Sequence, residues 1–150
     1  MAHRQTADLQ RFPPVLGDRE APGTTDKIDR FLAIRWPSLP CVVIDLDLVR
    51  ARCLALRASF PNATIFYAVK ANPAADILAA LASVDAEFDL ASLGEIERCL
   101  KLGIAPDRLS FGNTIKRETE IVRAYRNGID RFAFDSIGEV EKIARAAPDA

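Results

Sequence analysis

Thr64-Ile65-Phe66-Tyr67-Ala68-Val69-Lys70-Ala71-Asn72-Pro73 runs from an apolar strand into a helix start, with a lysine at the junction. Thr64 to Val69 is apolar on both faces, as a parallel strand covered on both sides must be. Asn72-Pro73 opens a helix whose Ile77, Leu78 and Leu81 share one face. The same strand-then-helix unit then recurs. Ala86 to Leu90 reads as a second strand, followed by a helix closed by Gly103. Leu109 to Gly112 reads as a third, followed by a helix from about Ile115 to Asn127. Arg131 to Phe134 reads as a fourth, with Val140, Ile143, Ala144 and Ala147 as the buried stripe of its helix.

The repeat is written in the letters. Ser92-Leu93-Gly94-Glu95-Ile96-Glu97-Arg98 matches Ser136-Ile137-Gly138-Glu139-Val140-Glu141-Lys142, two units further on. Both have the form of a capping box, in which Ser and Glu close the first turn of a helix reciprocally. Capping alone is a sufficient account of both. A strand and a helix in every unit of about 22 residues predict βα units and a parallel sheet.

Upstream, residues 1–24 are polar, hold Pro13, Pro14, Pro22 and Gly23, and read as a mobile tail. Residues 25–46 read as a short amphipathic helix, with Thr25 as its cap, then a strand over Cys41-Val42-Val43-Ile44. Asp47 is placed to cap the next helix, whose stripe is Val49, Cys53, Leu56 and Phe60. Residues 47–150 form the remaining domain.

Composition narrows the function classes. With 20 Lys plus Arg against 21 Asp plus Glu in 150 residues, the net charge is −1. No basic footprint for nucleic acid is present. The longest apolar run, Ile77 to Ala82, is far too short to span a bilayer. Cys41, Cys53, Cys99 and the single His3 have no zinc-site spacing, and no metal is expected. An odd cysteine count without close pairs suits a reducing, cytoplasmic setting.

Two architectures accommodate four βα units. An open flavodoxin-like sheet would be complete at this length, whereas a (β/α)8 barrel needs about 250 residues. Chemistry must decide. Lys70 sits at the C-terminal end of its strand, where barrel active sites lie. Burial there would lower its pKa and leave an amine able to attack an aldehyde. A lysine that merely snorkels to the surface is the competing reading.

Tyr67-Ala68-Val69-Lys70-Ala71-Asn72-Pro73 resembles the pyridoxal-phosphate lysine motif of the ornithine/diaminopimelate/arginine decarboxylase family, whose barrel is of the alanine-racemase type. Further segments resemble that family in order: Pro40 to Asp47, Phe88-Asp89 through Glu95 to Glu97, Phe111-Gly112-Asn113 through Lys116, and Phe134-Asp135-Ser136 with Glu139. Asn113-Thr114-Ile115-Lys116 is similar to bacterial ornithine decarboxylases. The resemblance implies an α/β fold, the N-terminal part of a (β/α)8 barrel. It implies that Lys70 carries pyridoxal 5'-phosphate as the catalytic lysine, and that Asp89 and Glu95 lie beside the cofactor. Asn113, Lys116 and Asp135 are expected to be structural.

The implied activity is decarboxylation of a basic L-amino acid, ornithine to putrescine, by a homodimer. With His3 as the single histidine and no glycine cluster, the family's stacking imidazole and Gly-rich phosphate loop are not found in this sequence, and its acidic partner of the pyridine nitrogen and cross-dimer cysteine come later in the family order. The expectation is an N-terminal portion of a longer protein, inactive by itself. The alternative is a relative that binds the cofactor or a partner without turnover. A phospho-receiver on an open sheet is disfavoured, because its lysine follows its aspartates, whereas Lys70 precedes Asp89.

Overall fold

Alternation along three short strands determines where every side chain near the site goes. The computed structural model describes residues 24–35 and 40–150. The chain divides between Asp45 and Leu46 into two units. In the first, α1 (Thr24–Ile34) starts one residue before the expected cap, and Lys27 pairs with Asp45 at 3.6 Å. The remainder of the stretch read as a mobile tail, residues 1–23, lies outside the described residues.

The strand expected over residues 41–44 is not formed. Val42 and Ile44 are exposed, and no described strand pairs with this segment, so its backbone has no ladder to join.

The second unit opens on α2 (Leu46–Ser59). Asp47 is therefore inside the first turn, paired with Arg50 at 3.0 Å, and does not occupy the cap. Only Cys53 of the expected stripe is buried. Then come β1 (Phe66–Ala68), α3 (Ala75–Ala82), β2 (Glu87–Leu90), α4 (Leu93–Lys101), β3 (Leu109–Phe111), α5 (Glu118–Arg126) and α6 (Ile137–Ala146). The strands form one parallel sheet in the order β1-β2-β3, so each strand is added beside its predecessor without a reversal. Sequential order is what a barrel requires.

Phe88 pairs with Tyr67 on one side and Leu109 on the other; Asp89 pairs with Ala68 and Ser110. Val69, Phe88, Leu90, Leu109 and Phe111 are shut into the core with Leu78, Ile96 and Cys99. Burying side chains of this size contributes about 1.5–3 kcal/mol each. The alternate positions, Ala68, Glu87, Asp89 and Ser110, fall on the opposite, partly open face.

The expected fourth strand is reduced to a bridge. Phe111 N–H donates to Arg131 O at 2.9 Å and Ala133 N–H to Phe111 O at 3.1 Å, and pairing stops there. The Ala133 carbonyl is taken by the Lys116 ammonium. The helix expected from Ile115 begins at Glu118, because residues 113–117 form the loop that carries this ammonium. No helix among the described residues is long and apolar enough to cross a membrane.

Candidate active site

Lys70 lies two residues past β1, in the 3₁₀ turn Val69–Ala71. Val69 is fully buried and Lys70 is exposed. The burial expected to desolvate its amine is therefore not supplied by the described residues. The turn itself is tied down. The Tyr67 hydroxyl donates to Asn72 O at 3.2 Å, and Arg98 Nη1 from α4 donates to Pro73 O at 3.1 Å. Asn72 Oδ1 accepts from Ala74 N at 3.1 Å, so α3 starts after the expected Asn-Pro junction.

Asp89 is half-buried near the end of β2. Its carboxyl pKa is raised by burial above all, lowered in part by the charge of Lys70, and raised again by Glu95. The three residues singled out from the sequence thus share one electrostatic field. Asp89 also rests against the end of β3: a β-carbon on Gly112 would lie 1.7 Å from Asp89 Oδ1. A side chain at position 112 would have to push the Asp89 carboxylate aside, and glycine leaves that space to it. Sequence reasoning passed over Gly112; a glycine ending an apolar strand was the available signal.

Glu95 departs from the capping box. Ser92 Oγ accepts from Glu95 N at 3.3 Å, as expected, but the Glu95 carboxylate reaches past the cap and accepts from Ala91 N at 2.7 Å. It fixes the turn that leaves β2 just after Asp89. Beneath it, burial and then the Glu95 charge push the Cys99 thiol up to about 11, so this cysteine is an inert core residue.

The remaining candidates are outside this group. Asn113 is exposed and donates to Ile115 O at 2.8 Å, a local turn contact. Asp135 is exposed just before the cap Ser136. Lys116 is buried, its ammonium 3.3 Å from Glu139. The strand-end arrangement offers an exposed primary amine, a carboxylate in its field, and a backbone cradle for that carboxylate.

Known proteins share this arrangement of elements. Residues 46–150 match the family described as pyridoxal-dependent decarboxylase, pyridoxal binding domain. A lysine/ornithine decarboxylase of Selenomonas ruminantium is 36% identical over 126 residues, covering 84% of this chain and 32% of its own length. Antizyme inhibitor 2 of Xenopus laevis is 38% identical over 109 residues, covering 72% of this chain and 24% of its own. The crystal structure of a lysine/ornithine decarboxylase from Vibrio vulnificus, complexed with cadaverine, aligns with a TM-score of 0.77 at 30% identity, over 85% of this chain and 35% of that one. The chain therefore spans about a third or less of the length of these relatives. The β1-β2-β3 ladder is the N-terminal part of such a barrel domain.

Proposed function

Because this chain belongs to the pyridoxal-dependent decarboxylases, through their pyridoxal binding domain, we propose that the full-length protein decarboxylates a basic L-amino acid, ornithine to putrescine, with Lys70 as the cofactor-bearing residue. The single observation that supports the site assignment is the place of Lys70, an exposed amine in the turn that directly follows β1, in a chain whose residues 46–150 match the pyridoxal binding domain. The residues fit pyridoxal phosphate: a primary amine at a strand end can take its aldehyde, with carboxylates nearby to balance charge. When bound, that group supplies the electron withdrawal that lets a carboxylate leave an α-carbon.

The chain's own residues have distinct parts in this reading. Lys70 would hold the cofactor through its amine and, once the substrate's own amine has displaced it, would be placed to return a proton to the substrate's α-carbon. Asp89, whose carboxyl lies in the field of Lys70, helps to set the charge balance of the amine. Glu95 keeps the Ala91 amide in place and so fixes the turn after Asp89. Residues 47–150 constitute the cofactor-binding part of the barrel, and residues 25–46 lead into it. The same reading makes the protein a cytoplasmic homodimer, with the 150 residues inactive by themselves. Ornithine is favoured by the Asn113-Thr114-Ile115-Lys116 segment and by the name of the Selenomonas relative, which includes lysine as well.

The Xenopus relative is named as an inhibitor, and this favours one second reading: a family member without turnover. One experiment separates them. The full-length protein is given pyridoxal phosphate with ornithine, lysine or arginine, and released CO2 and diamine are measured. Putrescine from ornithine, abolished in Lys70→Ala, supports the enzyme. No CO2 from any of the three supports the second reading.

A further inference from the structure

The two Ser-Gly-Glu boxes place their glutamates at equivalent helix positions, yet the two side chains do different things. Glu95 turns back to its own loop, whereas Glu139 crosses to the loop between β3 and α5. Glu139 Oε1 accepts from the Lys116 backbone N–H at 2.9 Å and lies 3.3 Å from Lys116 Nζ. Its Oε2 accepts from Lys142 Nζ at 2.6 Å, and Lys142 Nζ also donates to Lys116 O at 2.7 Å. Lys116 is 2% exposed and Glu139 is 5% exposed, so this is a desolvated ion pair.

Helix capping does not account for it, because Ser136 Oγ already serves the α6 cap. Stability alone is a weak account of it, because the hydration lost by two buried charges offsets much of their attraction. What an ion pair supplies that an apolar pair does not is directed geometry. Lys116 Nζ donates to Asn113 O at 2.9 Å and to Ala133 O, and sits 5.8 Å from the centre of the Phe111 ring. Asn113 directly follows Gly112, whose N–H donates to Leu90 O at 2.8 Å and whose Cα faces the Asp89 carboxylate.

We propose that Lys116 and Glu139 are positioning residues: they fix the segment 112–113 and thereby hold the Asp89 carboxylate in its place near Lys70. The importance of that place rests on the function proposed above; the mechanical link does not.

The test uses the full-length protein carrying K116M/E139Q. The amide introduced by Glu139→Gln keeps an oxygen for the backbone N–H of position 116, while the donor to Asn113 O is lost. In the cofactor-free protein, hydrogen exchange at the Gly112 amide should quicken about tenfold or more, while the core amide of Ala86, bonded to Leu81 O at 3.2 Å, stays unchanged. The affinity for pyridoxal phosphate should fall about tenfold in the Asp89 background and not fall further in an Asp89→Asn background, as coupled residues require. Equal quickening at Gly112 and Ala86, or no change at Gly112, overturns the link. An affinity loss equal in both backgrounds overturns the route through Asp89. If the parent protein binds no pyridoxal phosphate, the functional reading fails, and the Gly112 exchange alone decides the link. Should the double variant not fold, Lys116→Met alone, in which Lys142 still pairs with Glu139, is read against the same outcomes.

Discussion

The Asp89 carboxylate fills the space that a side chain on Gly112 would need: a β-carbon there would lie 1.7 Å from Oδ1 and 2.5 Å from Cγ. A residue of β2 thus occupies space beside the residue that follows β3. Asp89 pairs with Ser110, and Gly112, two residues further along, falls on the same side of the sheet.

Gly112→Ala is expected to push the Asp89 carboxylate aside and to cost up to about 1 kcal/mol of stability, the low end for overpacking, because the obstructing atoms end a side chain and are not backbone. Thermal unfolding measures it. In an Asp89→Ala background the same substitution should cost little, because the obstructing carboxylate is gone. An equal cost in both backgrounds would show that the crowding lies elsewhere.

Asp89 is an acid whose folded pKa lies above its ordinary value, chiefly through burial. Folding then favours the protonated form, so ionisation of Asp89 works against stability. Stability linked to this group is full below the unfolded value of about 3.9 and declines as pH rises through the folded value. Asp89→Asn should therefore raise the melting temperature at neutral pH, and the gain should vanish on acidification below about pH 3.9. In the same variant, cofactor affinity should fall. A carboxylate that costs stability and is retained for binding is the pattern expected of a functional group.

Much of this was legible from residues alone. Ser92 and Ser136 are caps, and Val69, Phe88 and Leu90 are core, because period and capping are local properties. The resemblance carried Lys70, Asp89 and Glu95 into one group; in the structure the charges of Lys70 and Glu95 act in opposite directions on the Asp89 carboxyl, after the larger effect of burial. What was not legible depends on distant partners. Residues 41–44 have strand-forming side chains, but a strand forms only where another accepts its hydrogen bonds. The segment 131–134 has one such neighbour and forms only a bridge. The letters of Glu95 and Glu139 are equivalent, and only the position of Lys116 makes their partners different. Lys116, expected to be structural, is the buried centre of a network.

That network has an acid signature. Glu139 has a lowered folded pKa, through its bond to Lys142 first and through Lys116, against the opposing effect of burial. Its stabilisation is present above the unfolded value of about 4.3 and is lost as pH falls through the folded value. The parent should therefore lose melting temperature more steeply than Glu139→Gln on acidification below about pH 4.3. Glu139→Ala, which leaves the Lys116 ammonium buried without its carboxylate, should cost about 3–5 kcal/mol at neutral pH. Thermal melts of the parent and Glu139→Gln across pH check the first statement, and denaturant melts of the parent and Glu139→Ala at neutral pH check the second.

The central claim is that Lys70 is the residue that takes the cofactor. Full-length protein is incubated with pyridoxal phosphate, reduced with borohydride and digested, and the modified peptide is sequenced by mass spectrometry. The account predicts the pyridoxyl group on Lys70, within the peptide that contains Tyr67 and, if cleavage spares it, Asn72, and no labelling of that peptide in Lys70→Ala. A pyridoxyl group found stoichiometrically on Lys101, Lys116, Lys142 or any other lysine, with Lys70 unmodified, would contradict it.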